Sequence, residues 1–337
     1  MKLQEIRRDL NFTLGVLMQQ PFDVQIQVTN RCNMKCSFCD FWPNGAKPQE
    51  ELCIVEFKRL SAELSKLGTF IVSLEGGEPF VRPDLVEIVR AFSDRHLVFL
   101  YTNGWYVDKK IAQALFDAGL TQIGVSIDYP DAQRHDTKRV LPGCFEKAWQ
   151  AIDAFRTIAP HGGRQVHVIT VLMKDNQYDI EELLKLSASH GVGHYITLLS
   201  THGYRRGRGQ DFLPDQPVSE KLLELRRRYS NFLVFQDYLN KIDTFINGGQ
   251  MPTCQAGKQT FNIDHLGYVS ACIEKIDKPV GNIRTESLES IYTKLQNLDY
   301  VTKCRDCWSL CRGTGQILGN GGTFKGWWDM AIRMRSY

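Results

Sequence analysis

The sequence predicts an α/β protein: a partial (β/α)6 parallel barrel of TIM-like form, followed by a small cysteine-rich α+β C-terminal extension. Three observations carry this. From Val24 to Leu199, short apolar, β-branched runs alternate with longer stretches of helical period, the pattern of parallel strands joined by helices. About six such β/α units fit, which suits a closed or partial parallel barrel. Eight of the ten cysteines fall into two groups, Cys32, Cys36 and Cys39 near the start and Cys254, Cys272, Cys304, Cys307 and Cys311 near the end of the 337-residue chain.

The first twenty residues place Leu3, Ile6, Leu10, Leu14 and Leu17 at helical spacing, predicting an amphipathic helix that packs on the body of the protein. Its polar face is not strongly basic, so docking to a membrane surface is the weaker alternative. Strands are expected at Val24–Thr29, Phe70–Leu74, Leu97–Thr102, Ile123–Ile127, Val166–Leu172 and Tyr195–Leu199. Helices are expected at Val55–Leu67, Pro83–Ser93, Lys109–Ala118, Phe145–Ile158 and Ile180–His190. After Pro214 the pattern turns mainly helical through Ile246, and Gly248, Gly249 and Pro252 mark a boundary. The expected organisation is therefore an N-terminal helix over 1–21, the barrel over 22–213, a helical connector over 214–250 and the cysteine-bearing extension over 251–337.

In such barrels the functional groups come from the loops after the strands. Here those loops hold 30–39, 75–79, Asn103 and Gly104, 128–139, Asn176 and 201–209. With 41 basic and 38 acidic residues, the net charge of +3 is too small to imply nucleic acid or a membrane surface as the main partner. No run approaches the roughly 20 apolar residues that span a bilayer. Glu5, Arg7, Arg8 and Asp9 interrupt any signal-peptide core. A cytoplasmic, reducing location is expected, and ten cysteines there point to metal or redox chemistry rather than disulfides. Cys53 and Cys144 stand apart and read as buried thiols.

Cys32-Asn-Met-Lys-Cys36-Ser-Phe-Cys39 puts three thiols in eight residues directly after a strand. A structural zinc site takes four protein ligands, whereas an iron–sulfur cube held by three leaves one iron for an outside ligand. The zinc alternative needs a distant fourth residue, and no histidine lies nearby. This C-x3-C-x2-C spacing, with aromatic Phe38 before the last cysteine, resembles the radical S-adenosylmethionine (SAM) superfamily. The resemblance implies a [4Fe–4S] cluster on Cys32, Cys36 and Cys39 whose open iron binds SAM. Its reductive cleavage would give a 5′-deoxyadenosyl radical that abstracts hydrogen from a substrate.

The following loops agree with that resemblance. Glu75-Gly76-Gly77-Glu78-Pro79 looks like the family's G-G-E-P segment, implying that Gly76, Gly77 and Glu78 contact the methionyl amino group. Glycines allow close backbone approach, and a carboxylate accepts from an ammonium. Asn103, in Thr-Asn-Gly, and Ser126 with Asp128, in Ser-Ile-Asp, resemble segments lining the cofactor's ribose and methionine. His135-Asp136-Thr-Lys-Arg139, with Gly143 and Phe145, resembles a family stretch in which Arg139 would pair with the cofactor carboxylate. Arg134 is the alternative, and a surface ion pair the bland reading.

In the second group, Cys254 and Cys272 bracket Gly267 as C-x12-G-x4-C, ahead of Cys304-Arg-Asp-Cys307 and Cys311. This layout resembles the SPASM extension or its shorter twitch form, implying a second, auxiliary [4Fe–4S] cluster. A hairpin over Phe261–Ala271, turning at Asp264–Gly267, would bring Cys254 and Cys272 together. The full pattern has seven cysteines for two clusters; five here, with Gly315 where another is expected, favour one cluster. Cys254, Cys272, Cys304 and Cys307 are the expected ligands, with Cys311 replacing one, lying free nearby, or joining a different set. A four-cysteine zinc site is the alternative on spacing alone.

A small-molecule or cofactor-precursor substrate is favoured mildly over a peptide, and a reductant such as flavodoxin or ferredoxin is the expected partner. The basic, aromatic loop 201–208 could receive an anionic substrate, and Trp327 and Trp328 could line a pocket or anchor the tail. The rival from another class is a non-catalytic zinc or iron–sulfur binding module.

Overall fold

The computed structural model describes residues 3–161, 165–200, 212–319 and 328–329. Six strands form the parallel part of the sheet: β1 (Asp23–Thr29), β2 (Ile71–Gly76), β3 (Leu97–Thr102), β4 (Leu120–Ser126), β5 (Val166–Leu172) and β6 (Gly193–Leu198). They alternate with α2 (Ile54–Leu67), α3 (Leu85–Ser93), α4 (Lys109–Asp117), α5 (Ala132–Arg139), α6 (Cys144–Ile158) and α7 (Ile180–Ser189), preceded by α1 (Leu3–Leu17). After β6 come α8 (Ser219–Arg228), α9 (Gln236–Leu239) and α10 (Ile242–Ile246). The extension holds β7 (Thr260–Ile263), β8 (Tyr268–Ser270), β9 (Gly281–Asn282), α11 (Leu288–Gln296), α12 (Asp299–Thr302) and α13 (Leu310–Leu318).

The strand order is β6-β5-β4-β3-β2-β1-β7-β8-β9. One face of each barrel strand, including Val24, Ile26, Val72, Leu74, Val98 and Leu100, is fully buried under the helices. The opposite face carries Gln25, Ser73, Glu75, Tyr101, Tyr195 and Thr197, a polar and aromatic interior. The period of two that separates these sets is the strand pleat itself. Sheet pairing does not join β6 to β1. Helix α13 spans that seam instead: Leu310 N donates to Thr197 Oγ1 on β6 (3.0 Å), while Cys311 bonds the Gln25 side chain on β1.

The expected hairpin is present, with Asp264 Oδ1 accepting from Leu266 N and Tyr268 N and Gly267 at φ +87°. The sequence did not show its docking. Strand β7 pairs in parallel with β1, from Asp23↔Thr260 to Ile26↔Ile263, so the extension continues the barrel sheet.

Four expectations need correction. Helix α1 forms, but its apolar stripe does not pack: Ile6, Leu10, Leu14 and Leu17 are 38–62% exposed. Docking runs through Val16, which packs with Phe22, Leu318 and Phe12. Periodicity reveals a stripe but not what covers it. The stretch 128–139, expected as loop, contains α5, whose N-cap Asp131 accepts from Arg134 N (2.9 Å). Only His135 and Arg139 of α5 are buried, so no apolar period announced it. Cys53 is exposed, not buried, because it caps the solvent-facing start of α2; Cys144 is buried as expected. The connector is not purely helical either, since His194 N donates to Asn231 O and Leu233 N to His194 O, laying residues 231–233 along β6. Loop 201–209 and Trp327 lie outside the described residues.

Candidate functional site

The first cysteine loop leaves β1 and alternates: Met34, Cys36 and Phe38 are buried, while Lys35 and Ser37 face out. Cys32 and Cys39 are partly exposed. The inward side packs with Tyr129, Cys144, Met173 and Leu199, which shields the Cys36 thiol from water. Met34 N donates to Cys32 Sγ (3.4 Å), and Cys39 N to Cys36 O (3.2 Å). Burial pushes the Cys32 and Cys36 thiols up to about 12 and about 11. A metal centre binding there must therefore displace their protons.

Gly76 and Gly77 lie against this loop. A Cβ on Gly76 would stand 2.1 Å from Thr29 O, and one on Gly77 2.2 Å from Arg31 O. Gly77 N and Glu78 N donate to those two carbonyls (2.8 and 2.9 Å). The glycines thus permit close approach of β2's end to the cysteine loop. Glu78 is fully buried and accepts from Asn103 N (2.8 Å), Thr102 Oγ1 (2.8 Å) and Phe80 N (3.0 Å). Burial nonetheless lifts its carboxyl to about 7. Asn103 Nδ2 reaches Asn33 Oδ1 (2.9 Å), while Asn33 Nδ2 and Asn30 Oδ1 are buried without partners among the described residues. Those orphaned groups beside the cysteines suit a polar ligand.

Ser126 ends β4 on the interior face. Beyond it, Asp128 is a buried hub: Oδ1 accepts from Val171 N (2.9 Å) and Oδ2 from Arg139 Nε and Nη2 (3.1 and 2.7 Å). Arg139 also lies over the Phe38 ring at 5.8 Å. Its fork is thus engaged by Asp128. Arg134 is a surface group bonded to Asp179 and stacked on the Tyr129 ring. His135 Nδ1 accepts from Asp128 N, and Asp136 from Phe145 N at the start of α6, so that stretch braces the loop.

The second cysteine group lines one pocket with Gln25, Thr260, Phe261, Glu274, Lys275 and Arg312: Cys254, Cys272, Cys304, Cys307 and Cys311 all contribute. Cys307 and Cys254 are the charged neighbours that bear most on Cys272, whereas Cys254 faces Arg312 first and Cys304 after it. Cys311 faces the barrel interior, touching Ser309 Oγ (3.0 Å) and Gln25 with Asp23 and Glu75 nearby, and it is also the thiol whose charge bears most on Cys307. Burial raises the thiols of Cys254, Cys272, Cys307 and Cys311, the last to about 11. Among the described residues no three His, Cys, Asp or Glu side chains converge on a single-ion point; the sulfurs are spread around a pocket.

Sequence reasoning missed the arginines that hold both sites. Arg312 donates to Cys307 O (2.7 Å), Pro252 O (2.8 Å) and Cys304 O (3.3 Å), lacing three cysteine-bearing segments together. Its position next to Cys311 was the one available signal. Arg31 and Arg82 converge on buried Glu51, for which no motif exists.

The Radical SAM superfamily profile matches residues 26–187, and the SPASM iron–sulfur cluster-binding domain profile matches 254–308. The AdoMet-dependent heme synthase of Methanosarcina barkeri is 33% identical over 301 residues, covering 83% of each chain. The chain belongs to the radical SAM superfamily. Mycofactocin maturase MftC of Mycolicibacterium smegmatis is 26% identical over 88% of this radical SAM chain and 78% of its own. Streptococcus suis SuiB bound to precursor peptide SuiA shares the fold, with TM-score 0.64 at 15% identity over 91% of this chain and 74% of SuiB. As a radical SAM enzyme with a SPASM domain, the protein uses SAM and iron–sulfur clusters. No helix among the described residues is long and apolar enough to cross a membrane.

Proposed function

We propose that this enzyme abstracts hydrogen from a small-molecule precursor of a cofactor or natural product, with Cys32, Cys36 and Cys39 holding the SAM-binding cluster. Cys254, Cys272, Cys304 and Cys307 hold one auxiliary cluster, and Cys311 stays outside its shell. One observation carries the reading: β1 serves both cysteine groups, since its Gln25 lines the second pocket and its C-terminal end runs on into the Cys32–Cys39 loop. A substrate in the barrel would lie between them. When bound, the cluster supplies the electron that cleaves SAM into methionine and the hydrogen-abstracting radical.

The chain's own groups do the rest. Gly76, Gly77 and Glu78, with Asn103, shape the methionyl end; Ser126 lines the nucleoside end, with Asp128 behind it holding Arg139 and Val171 N. Phe38, Met34 and Tyr129 keep water from the reacting region. The heme synthase relative, matched over most of both chains, favours a small molecule. The maturase relative supports a peptide as the second reading. Anaerobic reconstitution with a chemical reductant, flavodoxin or ferredoxin tests the proposal. SAM should yield 5′-deoxyadenosine, and deuterium from the true substrate should appear in it; zinc retention without SAM cleavage would overturn the reading.

A further inference from the structure

We propose that Glu51 is a positioning residue, setting the conformation of the Cys32 loop and bolting that loop to the auxiliary-cluster extension. Its side chain is 2% exposed. It accepts from Arg31 Nε and Nη2 (both 3.0 Å) in a bidentate pair, and from Thr29 Oγ1. Arg82 Nη1 lies 3.6 Å away. Arg31 directly precedes Cys32, Thr29 ends β1, and Arg82 follows the Gly76–Pro79 turn. One carboxylate therefore fixes the two ends of the cysteine loop's root and the segment that packs against it.

Arg82 is itself held, donating to Val28 O (3.0 Å) and Asp84 (2.7 and 2.9 Å), so Glu51 is anchored to a rigid base rather than to mobile side chains. Arg31 is the variable member, 28% exposed, and its one carboxylate partner among the described residues is Glu51.

The backbone around Glu51 faces the other way. Leu52 N donates to His265 O (2.9 Å), and a Cβ on Gly267 would meet Leu52 Cδ2 at 3.2 Å. Arg284 donates to Glu50 O and Glu51 O (3.1 and 3.2 Å) and pairs with Glu56. His265 and Gly267 belong to the β7–β8 turn, and β8 runs into Cys272. Residues 50–52 thus form a bracket from the root of Cys32 to the strand that delivers Cys272. Charge-assisted, bidentate bonds give such a bracket defined geometry. Outer partners of ligand-bearing loops shift metal-site properties by about 10–100-fold when removed.

The inference rests on Cys32 belonging to the SAM-binding loop, but its first test does not. In the cluster-free chain, Glu51→Gln keeps the shape and removes the charge. Hydrogen exchange across residues 30–40 should then quicken about 10-fold, with exchange in β4 and β5 unchanged. In the reconstituted enzyme the same variant should bind SAM about 10-fold more weakly by equilibrium dialysis and alter the electron paramagnetic signal that SAM induces, while total iron stays at the wild-type level. Arg31→Met, which leaves the buried Glu51–Arg82 contact intact, should reproduce both changes and carries the test if Glu51→Gln does not fold. Exchange and SAM affinity within twofold of wild type in the folded variants would overturn the proposal. So would uniformly faster exchange with unchanged SAM affinity, the mark of a merely structural role. If wild type itself fails to bind SAM, the cofactor reading fails, and the exchange result alone decides the bracket.

Discussion

Removing the Asp128 carboxylate should be among the most damaging single changes in the barrel. Asp128 and Arg139 have side-chain exposures of 0% and 7%, joined by two bonds to one oxygen, while the other oxygen holds Val171 N. Asp128→Ala leaves a buried guanidinium without its counter-charge, a loss of about 3–5 kcal/mol for a broken buried pair. The orphaned Val171 N–H adds about 1–3 kcal/mol. Water entering the vacated space offsets part of this, so about 4 kcal/mol is expected. Asp128→Asn keeps an acceptor and should cost roughly half as much. The double change Asp128→Asn with Arg139→Met should cost less than the sum of the singles by about 2 kcal/mol, since neither charge is then stranded. Urea unfolding of the cluster-free protein, followed by circular dichroism under anaerobic conditions, measures these differences. Because the pair is dry, 1 M salt should leave the loss nearly unchanged. A cost under about 1 kcal/mol for Asp128→Ala, or one halved by salt, would refute the claim that the pair is a buried brace.

Cys36→Ala should abolish 5′-deoxyadenosine formation, whereas Cys272→Ala should largely spare it and impair product formation; chromatography of both products separates the two, and equal loss of cleavage would make the second cluster structural. Cys311→Ser should retain the wild-type iron content if Cys254, Cys272, Cys304 and Cys307 complete the auxiliary shell, and loss of iron would place Cys311 within it. Burial holds His194 down to about 3 and His96 and His167 to about 4, so these histidines should weaken the fold on acidification, while the Glu78 and Asp23 carboxyls, lifted to about 7, pull the opposite way. Below the ordinary histidine value near 6.5 the unfolded chain takes up protons at these positions that the native state refuses, so the histidines' contribution to stability is greatest above that pH and declines as pH drops toward 4. His194→Gln should reduce the slope of unfolding free energy by about 1.4 kcal/mol per pH unit over that window, read from urea titrations at pH 7, 6 and 5. An unchanged slope would show that His194 charges freely in the fold.

Much of this protein was legible in its sequence because the signals were local. The period-two runs marked β3 and β5 to the residue, and the eight-residue Cys32–Cys39 loop carried its own chemistry. The order of Gly76–Glu78, Asn103 and Asp128 after successive strands predicted that these residues gather at one end of the sheet. Helix α5 stayed hidden, since a short helix that buries only His135 and Arg139 has no apolar rhythm. The stripe on α1 misled for the converse reason: amphipathic spacing records what a helix could bury, whereas α1 docks through Val16 and Phe12 with Arg8 bonded to Ser93 O.

The sequence by itself determined the fold class, the two cysteine groups and the family chemistry, all of which depend on residues close together in the chain or in fixed order. Only the tertiary structure decided that β7 joins β1, that α13 brings Cys311 across the seam to Gln25, and that Glu51 ties Arg31 to Arg82. These contacts join residues 20 to nearly 300 positions apart, through strand edges or through charged, polar and thiol groups with many possible partners. Which partner a buried group finds is set by how the strands stack and the chain closes, and no local pattern encodes that choice.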